Sequence, residues 1–469
     1  MPLVRIGNHE FGERTPLLGF GGTEAERARV KACGRRVVAL LVVAYTGYYF
    51  CRSNLPVAIP ILEKEEGIDR TQVGFILGAG YGTFLLGKFL SGYVINTFGG
   101  KNTLLAGLVG SILTTVLFTF KVNVTYFATI RALNQLSSAV GWSAVVKIVR
   151  GWYAPSKAAH AVAIASLAES AGDAVVRLVL GGSMVYGLEW KQMFYVSAAA
   201  GAILFVPSLF VVGQPADKGM EPPSEGSTHA QHTQNRSVYQ NGESGLGPLL
   251  KSGRFWLLSA EMFGIILIRE SFASFISTFI SSELKVTPGY SAMASAIFPA
   301  IGAISSLSGG FLLDHVRPSR RGLVPFLCLG ALTASLVGMA AVSPKGSSSS
   351  SLTILAEITT NDKVKIFTFI SLSALALYAP KIIVDGAFIM DLAGGEDNVE
   401  TVTAAVTGLG YVGGCVSPFV SGVVADQMGW PFAMMVLAGF AGTTCAMSGV
   451  YWLWDLKKIR DSRGAQSHP

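Results

Sequence analysis

Ten ionisable residues stand inside otherwise apolar segments, where their side chains could do chemistry: Arg52, Lys88, Lys147, Glu169, Asp173, Arg177, Arg269, Glu270, Lys381 and Asp385. A charge at the centre of a lipid bilayer costs about 2.5–3.5 kcal/mol on insertion scales, so such side chains normally face a protein interior or a water-filled path. Some are spaced for internal ion pairing. Glu270 follows Arg269 directly, and Asp385 follows Lys381 by one helical turn.

Arg52 and Lys88 have no acidic residue nearby in their own segments, which indicates a role other than internal pairing. Tyr48 and Tyr49 precede Arg52, and Tyr48 is placed to share its helical face. A guanidinium binds phosphate through two parallel hydrogen bonds and stays charged at physiological pH. If Arg52, Arg269 and Lys88 converge, they would form a site for a small, multiply charged anion, most readily a phosphate ester or phosphate.

The composition indicates the class of protein to which these residues belong. Of 469 residues, 51% are hydrophobic and 14% are charged, whereas a soluble domain has about 25% charged residues. This excludes a soluble enzyme, a nucleic-acid binder and a disordered scaffold, and favours a protein that crosses a membrane many times. The five cysteines are scattered without metal-ligand spacing, so we expect neither a metal site nor a cofactor.

About twelve segments are long enough to span a bilayer, which takes about 20 apolar residues each. They predict an all-α membrane protein with two bundles of six helices. The predicted units are a polar tail (1–36), an N-terminal bundle (37–213), a flexible linker rich in Ser, Gly, Pro, Gln, Asn and His (214–252), a C-terminal bundle (253–455) and a second tail (456–469).

Basic residues indicate the orientation of the chain in the membrane. They cluster in the loops and tails on one side, as in Arg35 and Arg36 before the first span and Lys457 and Lys458 after the last. Because excess Lys and Arg mark cytoplasmic segments, both termini are expected in the cytoplasm. The tail also carries a pattern like an acidic dileucine sorting signal, formed by Glu13, Leu17 and Leu18, which slightly favours an endomembrane over the plasma membrane.

The two halves repeat a short motif after each second span. The later copy contains Gly310, Asp314, Arg317 and Arg321, and the earlier copy begins at Gly92 but has Asn96 in the acidic position. Each glycine is expected to permit close helix contact. Gly92 follows Arg52 by 40 residues and Gly310 follows Arg269 by 41, so the two arginines are expected at similar depth on corresponding helices.

This motif resembles the loop signature of the major facilitator superfamily. The segment from Tyr48 to Asn54 resembles the first-helix signature of its organophosphate:phosphate antiporters. Further similarity lies in Gly87–Gly92, Gly141–Trp142, Lys147–Trp152, Ile268–Glu270, Tyr378–Pro380, Gly408–Gly414 and Gly429–Trp430. The resemblance implies two pseudo-symmetric bundles around a central site, phosphate binding by Arg52 and Arg269, and support from Lys88. We place Tyr48, Tyr49 and Tyr378 with them as substrate-binding residues.

One position departs from that family. Glu169 stands where bacterial glycerol-3-phosphate members carry a histidine, and a carboxylate beside two arginines repels phosphate unless it is protonated or paired, for example with Arg177. Candidates for coupling or ion pairing are Glu169, Asp173, Lys147, Lys381 and Asp385.

The resemblance implies a secondary transporter, not an enzyme, that exchanges a sugar phosphate or glycerol phosphate for inorganic phosphate. An alternative is a proton-coupled transporter of another organic anion, and a more remote one is a non-transporting receptor or scaffold. The expected partners are a small anionic substrate and the lipid bilayer, with no nucleic acid and no second subunit.

Overall fold

A computed structural model describes residues 24–153, 155–220, 246–316, 320–343, 360–393 and 396–466. Within these ranges the chain is helical and has no strand. The long helices are α1 (Glu24–Glu65), α2 (Arg70–Phe98), α3 (Gly100–Leu117), α4 (Val124–Trp152), α5 (Pro155–Val185), α6 (Trp190–Ser208), α7 (Gly253–Leu284), α8 (Pro288–Ser295 and Ile297–His315), α9 (Leu323–Val342), α10 (Thr360–Ile383, continued to Ala393), α11 (Glu396–Pro418, continued to Met428) and α12 (Trp430–Gln466).

These helices confirm the predicted all-α architecture. In the described part of the chain, eight of them are long and apolar enough to cross a membrane by length and composition alone. The other four are α1, α4, α5 and α6, all in the first half. Three of these helices contain a charged residue in their apolar part, which lowers their hydropathy: Arg52 in α1, Arg131 in α4 and Glu169 in α5.

The first and last helices are longer than predicted. α1 begins at Glu24 and α12 continues to Gln466, although residues 24–36 and 456–466 were assigned to polar tails. The 42 residues of α1 correspond to about 63 Å, twice the thickness of a bilayer's hydrocarbon core. Both helices therefore extend well beyond the apolar segments that indicated them.

Several predicted features lie outside the described residues: the sorting pattern (Glu13, Leu17 and Leu18), Arg317 and the side chain of Asp314. The linker is described only at its ends. There the chain forms a 3₁₀ turn, Pro215–Lys218, and a short helix, Leu246–Leu250.

The helices pack as two bundles. In the first, α2 lies along α4, and α1 packs against α5 and α6. In the second, α7 lies along α11 and α12, and α10 contacts α8 and α9. The bundles meet where α2 packs against α11, α5 against α8 and α1 against α7. The central interface is therefore formed by helices from both halves.

Alternating helix directions define two sides of the molecule. We call the side where α1 begins and α12 ends the terminal side, and the opposite one the loop side. On the loop side the halves touch backbone to backbone. A Cβ atom at Gly181 of α5 would lie 2.7 Å from the backbone nitrogen of Met293, and one at Gly422 of α11 would lie 2.8 Å from the carbonyl oxygen of Arg70. Only glycine fits there, so the halves are closely packed on the loop side.

The two repeat glycines do not make the close helix contacts expected of them. A Cβ atom at Gly92 or Gly310 would meet nothing within 4 Å. Nearby glycines make such contacts instead. A Cβ atom at Gly87 would lie 2.6 Å from the Cβ atom of Ala139, and one at Gly309 would lie 3.0 Å from the Cα atom of Ala379. Both repeat glycines face away from neighbouring helices.

Candidate functional site

The two arginines from corresponding helices converge on one carboxylate. Arg269 of α7 donates from Nη1 to Oε1 of Glu270 at 2.9 Å. Arg52 of α1 places its Nη2 atom 3.9 Å from the same oxygen. The repeat predicts these arginines at similar depth, and here both lie beside the same oxygen of Glu270. Two guanidinium groups, one from each half, therefore share a small volume at the central interface.

Aromatic rings lie against these cations. The Arg52 guanidinium carbon lies 4.5 Å from the centroid of the Phe84 ring and 5.9 Å from that of Tyr49. The Lys88 ammonium lies 5.3 Å from the Phe84 centroid, and Arg269 packs over Tyr378 at 5.6 Å. Ring faces attract cations without neutralising them, so these contacts hold the charges in place while leaving them able to bind an anion.

Carboxylates partly neutralise the cations. Glu169 of α5 accepts a hydrogen bond from Nη2 of Arg269, and its other oxygen lies 4.0 Å from the Lys381 ammonium. Lys381 also pairs with Asp385 at 3.3 Å, which confirms the spacing argument. Glu169 belongs to the first half and both its partners to the second. It therefore joins the two halves.

The suggested pairing of Glu169 with Arg177 is wrong. Arg177 instead pairs with Asp173, one helical turn before it, through Nε at 3.1 Å. Its Nη atoms cross to the other half. Nη2 donates to the carbonyl oxygen of Ala273 at 2.6 Å, and Nη1 donates to the hydroxyl of Ser295 at 3.0 Å. Asp173 and Arg177 thus form a contact between the halves on the loop side of the central site.

Two predicted site residues lie elsewhere. The Tyr48 hydroxyl donates to the carbonyl oxygen of Leu104 at 2.6 Å, inside the first bundle. Its ring fills space left by Gly107 and Gly141, so it faces away from Arg52.

Lys147 is exposed and donates to Oδ1 of Asn96 at 2.8 Å, near the terminal-side ends of α4 and α2. Of the other predicted residues, Arg321 is half-buried on the terminal side.

Four residues near the arginines or on their helices were missed. Arg131 is 3% exposed and donates from Nη1 to the backbone oxygen of Arg52 at 2.9 Å. Glu261 of α7 is 0% exposed, and neither of its carboxylate oxygens has a hydrogen-bond partner among the described residues. Both are charged residues in apolar segments, so the rule that found the other ten applies to them. Phe84 and Tyr81 carried no such signal.

Tyr81 orders the shared carboxylate. Its hydroxyl donates to Oε2 of Glu270 at 2.6 Å and lies 3.2 Å from the hydroxyl of Ser274. Because α2 belongs to the first half and α7 to the second, this is another polar contact across the interface. Glu270 is consequently held by Tyr81 as well as by Arg269.

Comparison with known proteins supports this architecture. Residues 41–382, most of the chain, match the family model of the Major Facilitator Superfamily. The chain belongs to this superfamily. Its members and the transporters reported below are carriers rather than enzymes.

Similar curated proteins include the glycerol-3-phosphate transporter of Bacillus subtilis, 23% identical over 85% of this chain and 87% of that protein. A probable hexose phosphate transport protein of Chlamydia pneumoniae is 23% identical over 67% of this chain and 72% of its own length. The membrane sensor protein UhpC of Escherichia coli is 22% identical over 63% of this chain and 68% of its own.

A solved structure with a similar fold is that of a bacterial homologue of the human lysosomal transporter Spinster, crystallised in an inward-facing and occupied conformation. The TM-score is 0.64 at 14% identity, covering 92% of this chain and 97% of that one. At this identity the similarity concerns the fold.

Proposed function

We propose that this protein is a secondary transporter of a small phosphorylated metabolite, such as a sugar phosphate or glycerol phosphate, which it exchanges for inorganic phosphate by alternating access. The observation that carries the proposal is the pair of arginines, Arg52 and Arg269, contributed by corresponding helices of the two halves and converging on one oxygen of Glu270.

The chemistry of the two arginines and of Lys88 suits a phosphoryl group. Guanidinium groups bind phosphate oxygens in pairs and remain charged. Lys88 adds a third cation, which contacts the same Phe84 ring as Arg52 does. Two relatives whose names specify phosphorylated solutes, glycerol-3-phosphate and hexose phosphate, are similar to this chain over most of their length.

The packing of the halves supports alternating access. Arg177 crosses between them on the loop side, and the backbones of α5 and α8 touch there. Movement between two states would break these contacts and form others on the terminal side. With both termini in the cytoplasm, the described conformation is closed toward the other compartment, for which we favour the lumen of an endomembrane.

Reconstitution in lipid vesicles tests the proposal. Vesicles loaded with inorganic phosphate should take up labelled glucose 6-phosphate or glycerol 3-phosphate faster than unloaded vesicles. A counterflow screen across phosphate esters, phosphate and carboxylates would identify the preferred substrate. Uptake of phosphate esters that internal phosphate does not stimulate would contradict exchange.

A second candidate function is proton-coupled transport of another organic anion. It is favoured by the ion pair between the Glu169 carboxylate and Arg269. Uptake driven by a pH gradient with no internal phosphate, and with a carboxylate as the preferred solute, would support it. If the vesicles bind a phosphate ester but transport nothing, a sensor role like that named for the relative UhpC becomes the better explanation.

A further inference from the structure

Glu169 occupies the place on Arg269 where an anion would bind. Both terminal nitrogens of this guanidinium already donate to carboxylates, Nη2 to Glu169 and Nη1 to Glu270. A phosphate group binding through two parallel hydrogen bonds needs a pair of nitrogens on one edge of the guanidinium. Nε of Arg269 is buried and has no hydrogen-bond partner among the described residues. A phosphate group that binds the edge formed by Nε and Nη2 would therefore compete with Glu169 for Nη2.

Glu169 is the carboxylate that can leave. The Glu270 side chain is 4% exposed, adjoins Arg269 in the chain and accepts a second hydrogen bond from Tyr81. The Glu169 side chain is 18% exposed and comes from the other half. Its described partners are the cationic ends of two side chains of the second half, Arg269 and Lys381. Releasing Glu169 breaks its bonds to two cations only, whereas releasing Glu270 would also break its hydrogen bond from the buried Tyr81 hydroxyl.

The charge of the cluster sets a condition on that release. Its members are four cations and three carboxylates: Arg52, Lys88, Arg269, Lys381, Glu169, Glu270 and Asp385. The ionised cluster thus carries one net positive charge. A phosphate dianion would reverse that sign and leave the Glu169 carboxylate without its cations. An unpaired charge in this surrounding is costly, and one proton on the carboxylate removes the cost.

We propose that Glu169 is a built-in counter-anion that a substrate phosphate group displaces from Arg269, and that the displaced carboxylate then takes up one proton. This inference rests on the proposed function, because it requires that phosphate binds at the arginines. The proton comes from a buffer acid in the solution on the open side, which is left as its conjugate base, attaches to a carboxylate oxygen of Glu169 and returns to the solution when the anion departs. No other covalent bond changes.

The carboxylates around Glu169 differ from it in their partners. The other ionisable groups that interact with it come from five helices: Tyr45, Tyr49 and Arg52 of α1, Lys88 of α2, Arg269 of α7, Tyr378 and Lys381 of α10, and Tyr411 of α11. Two further carboxylates share its cations, Glu270 through Arg269 and Asp385 through Lys381, and Asp173 lies one helical turn away on α5, paired with Arg177. When phosphate takes Arg269, Glu270 keeps its hydrogen bond from Tyr81 and Asp385 keeps Lys381, whereas Glu169 loses the hydrogen bond from Arg269.

Calorimetry on the purified full-length protein measures this proton. Inorganic phosphate is titrated at an alkaline pH where it is already a dianion, in two buffers of different ionisation enthalpy, so that the difference in heat counts protons taken up per anion bound. We expect about one proton for the wild type, about none for Glu169→Gln, and about one for the matched control Asp455→Asn, whose carboxylate pairs with Arg254 outside this cluster.

Several results would overturn the proposal. Phosphate binding to the wild type without proton uptake would do so, as would equal uptake in Glu169→Gln, because the proton would then reside on phosphate or another group. A wild type that binds no phosphate would instead defeat the proposed function and this inference with it.

Infrared difference spectroscopy covers the case in which the glutamine variant does not fold. Phosphate should produce a protonated-carboxyl band in the wild type, and Glu169→Asp should shift its frequency. An unshifted band would show that a different carboxylate accepts the proton.

Discussion

At the scale of single residues, the two arginines are not equivalent. The terminal nitrogens of Arg269 are occupied by two carboxylates, whereas the nearest described carboxylate oxygen to Arg52 is 3.9 Å away. Arg52 is held instead by the Phe84 ring and by the position of its own helix. We therefore expect an incoming phosphate group to meet Arg52 first and to reach Arg269 only as Glu169 leaves.

Lysine in place of either arginine should impair binding without unfolding the protein. Arg52→Lys and Arg269→Lys keep the charge but lose the paired hydrogen bonds, each charge-assisted bond being worth about 1.5–3 kcal/mol. We expect phosphate affinity to fall at least about tenfold in each variant, as measured by calorimetry on protein with an unchanged melting temperature. Wild-type affinity in Arg52→Lys would remove Arg52 from the site.

Arg131 should act on the site through the backbone. It donates to the carbonyl oxygen of Arg52, so Arg131→Met should leave that oxygen unpaired and let α1 shift. Buried hydrogen bonds to a charged group contribute about 1.5–3 kcal/mol. We expect weaker phosphate binding, with affinity partly restored in Arg131→Lys. Unchanged binding in the methionine variant would show that the bond does not position Arg52.

At the scale of helices, the second half contains two irregular segments beside the interface. α10 forms a π-helical turn at Val384–Phe388, shortly after Pro380, and α11 forms one at Phe419–Val423, directly after Pro418. Proline removes a backbone donor, which loosens the helix at these points. Asp385 lies on the first of these turns, so its pairing with Lys381 depends on local helix geometry as well as on sequence spacing.

Glycine substitutions in α11 and α12 should have opposite effects. A Cβ atom at Gly413 would lie 2.3 Å from the backbone oxygen of Phe263, whereas one at Gly439 would meet nothing within 4 Å. Gly413→Ala should therefore separate α11 from α7 and lower the melting temperature. Gly439→Ala should raise it slightly, because alanine favours a helix interior by about 0.5–1 kcal/mol. Equal melting temperatures would contradict the close packing of α7 and α11.

At the scale of the whole molecule, Arg177 is one of the polar contacts that close the loop side, together with those of Arg70 to Ala425 and of Thr71 to Asp426. Replacing it with methionine removes its bonds to Asp173, Ala273 and Ser295. Each lost bond to a charged group contributes about 1.5–3 kcal/mol, enough to shift a two-state equilibrium strongly toward opening.

Thiol labelling can detect that opening. Met293→Cys, placed where α8 meets Gly181, should react faster with a membrane-impermeant maleimide when Arg177→Met is also present. The background should lack the five native cysteines, all of which are free. The control is Arg254→Met, which breaks an ion pair with Asp455 inside the second bundle. Equal labelling rates in both variants would contradict the role of Arg177.

The long helices and the arginine pair could be predicted because each depends on local information. Apolar segments of sufficient length indicate helices, and equal offsets from a repeated motif place Arg52 and Arg269 at similar depth. The contact of Glu169 with Arg269 could not be predicted in this way, because it depends on how closely α5 approaches α7. Tyr48 was misplaced for a similar reason, since the space that it fills is created by glycines on α3 and α4.

The charges of the central cluster also connect it to the membrane voltage. An empty cluster carrying one positive charge feels the transmembrane field whenever it moves, at about 2.3 kcal/mol per elementary charge per 100 mV for a full crossing. A cluster that holds a phosphate dianion and one proton carries no net charge. The loaded site would then cross the membrane without moving net charge, whereas the voltage would act on the return of the empty site. The membrane potential would thereby select between exchange and net flow.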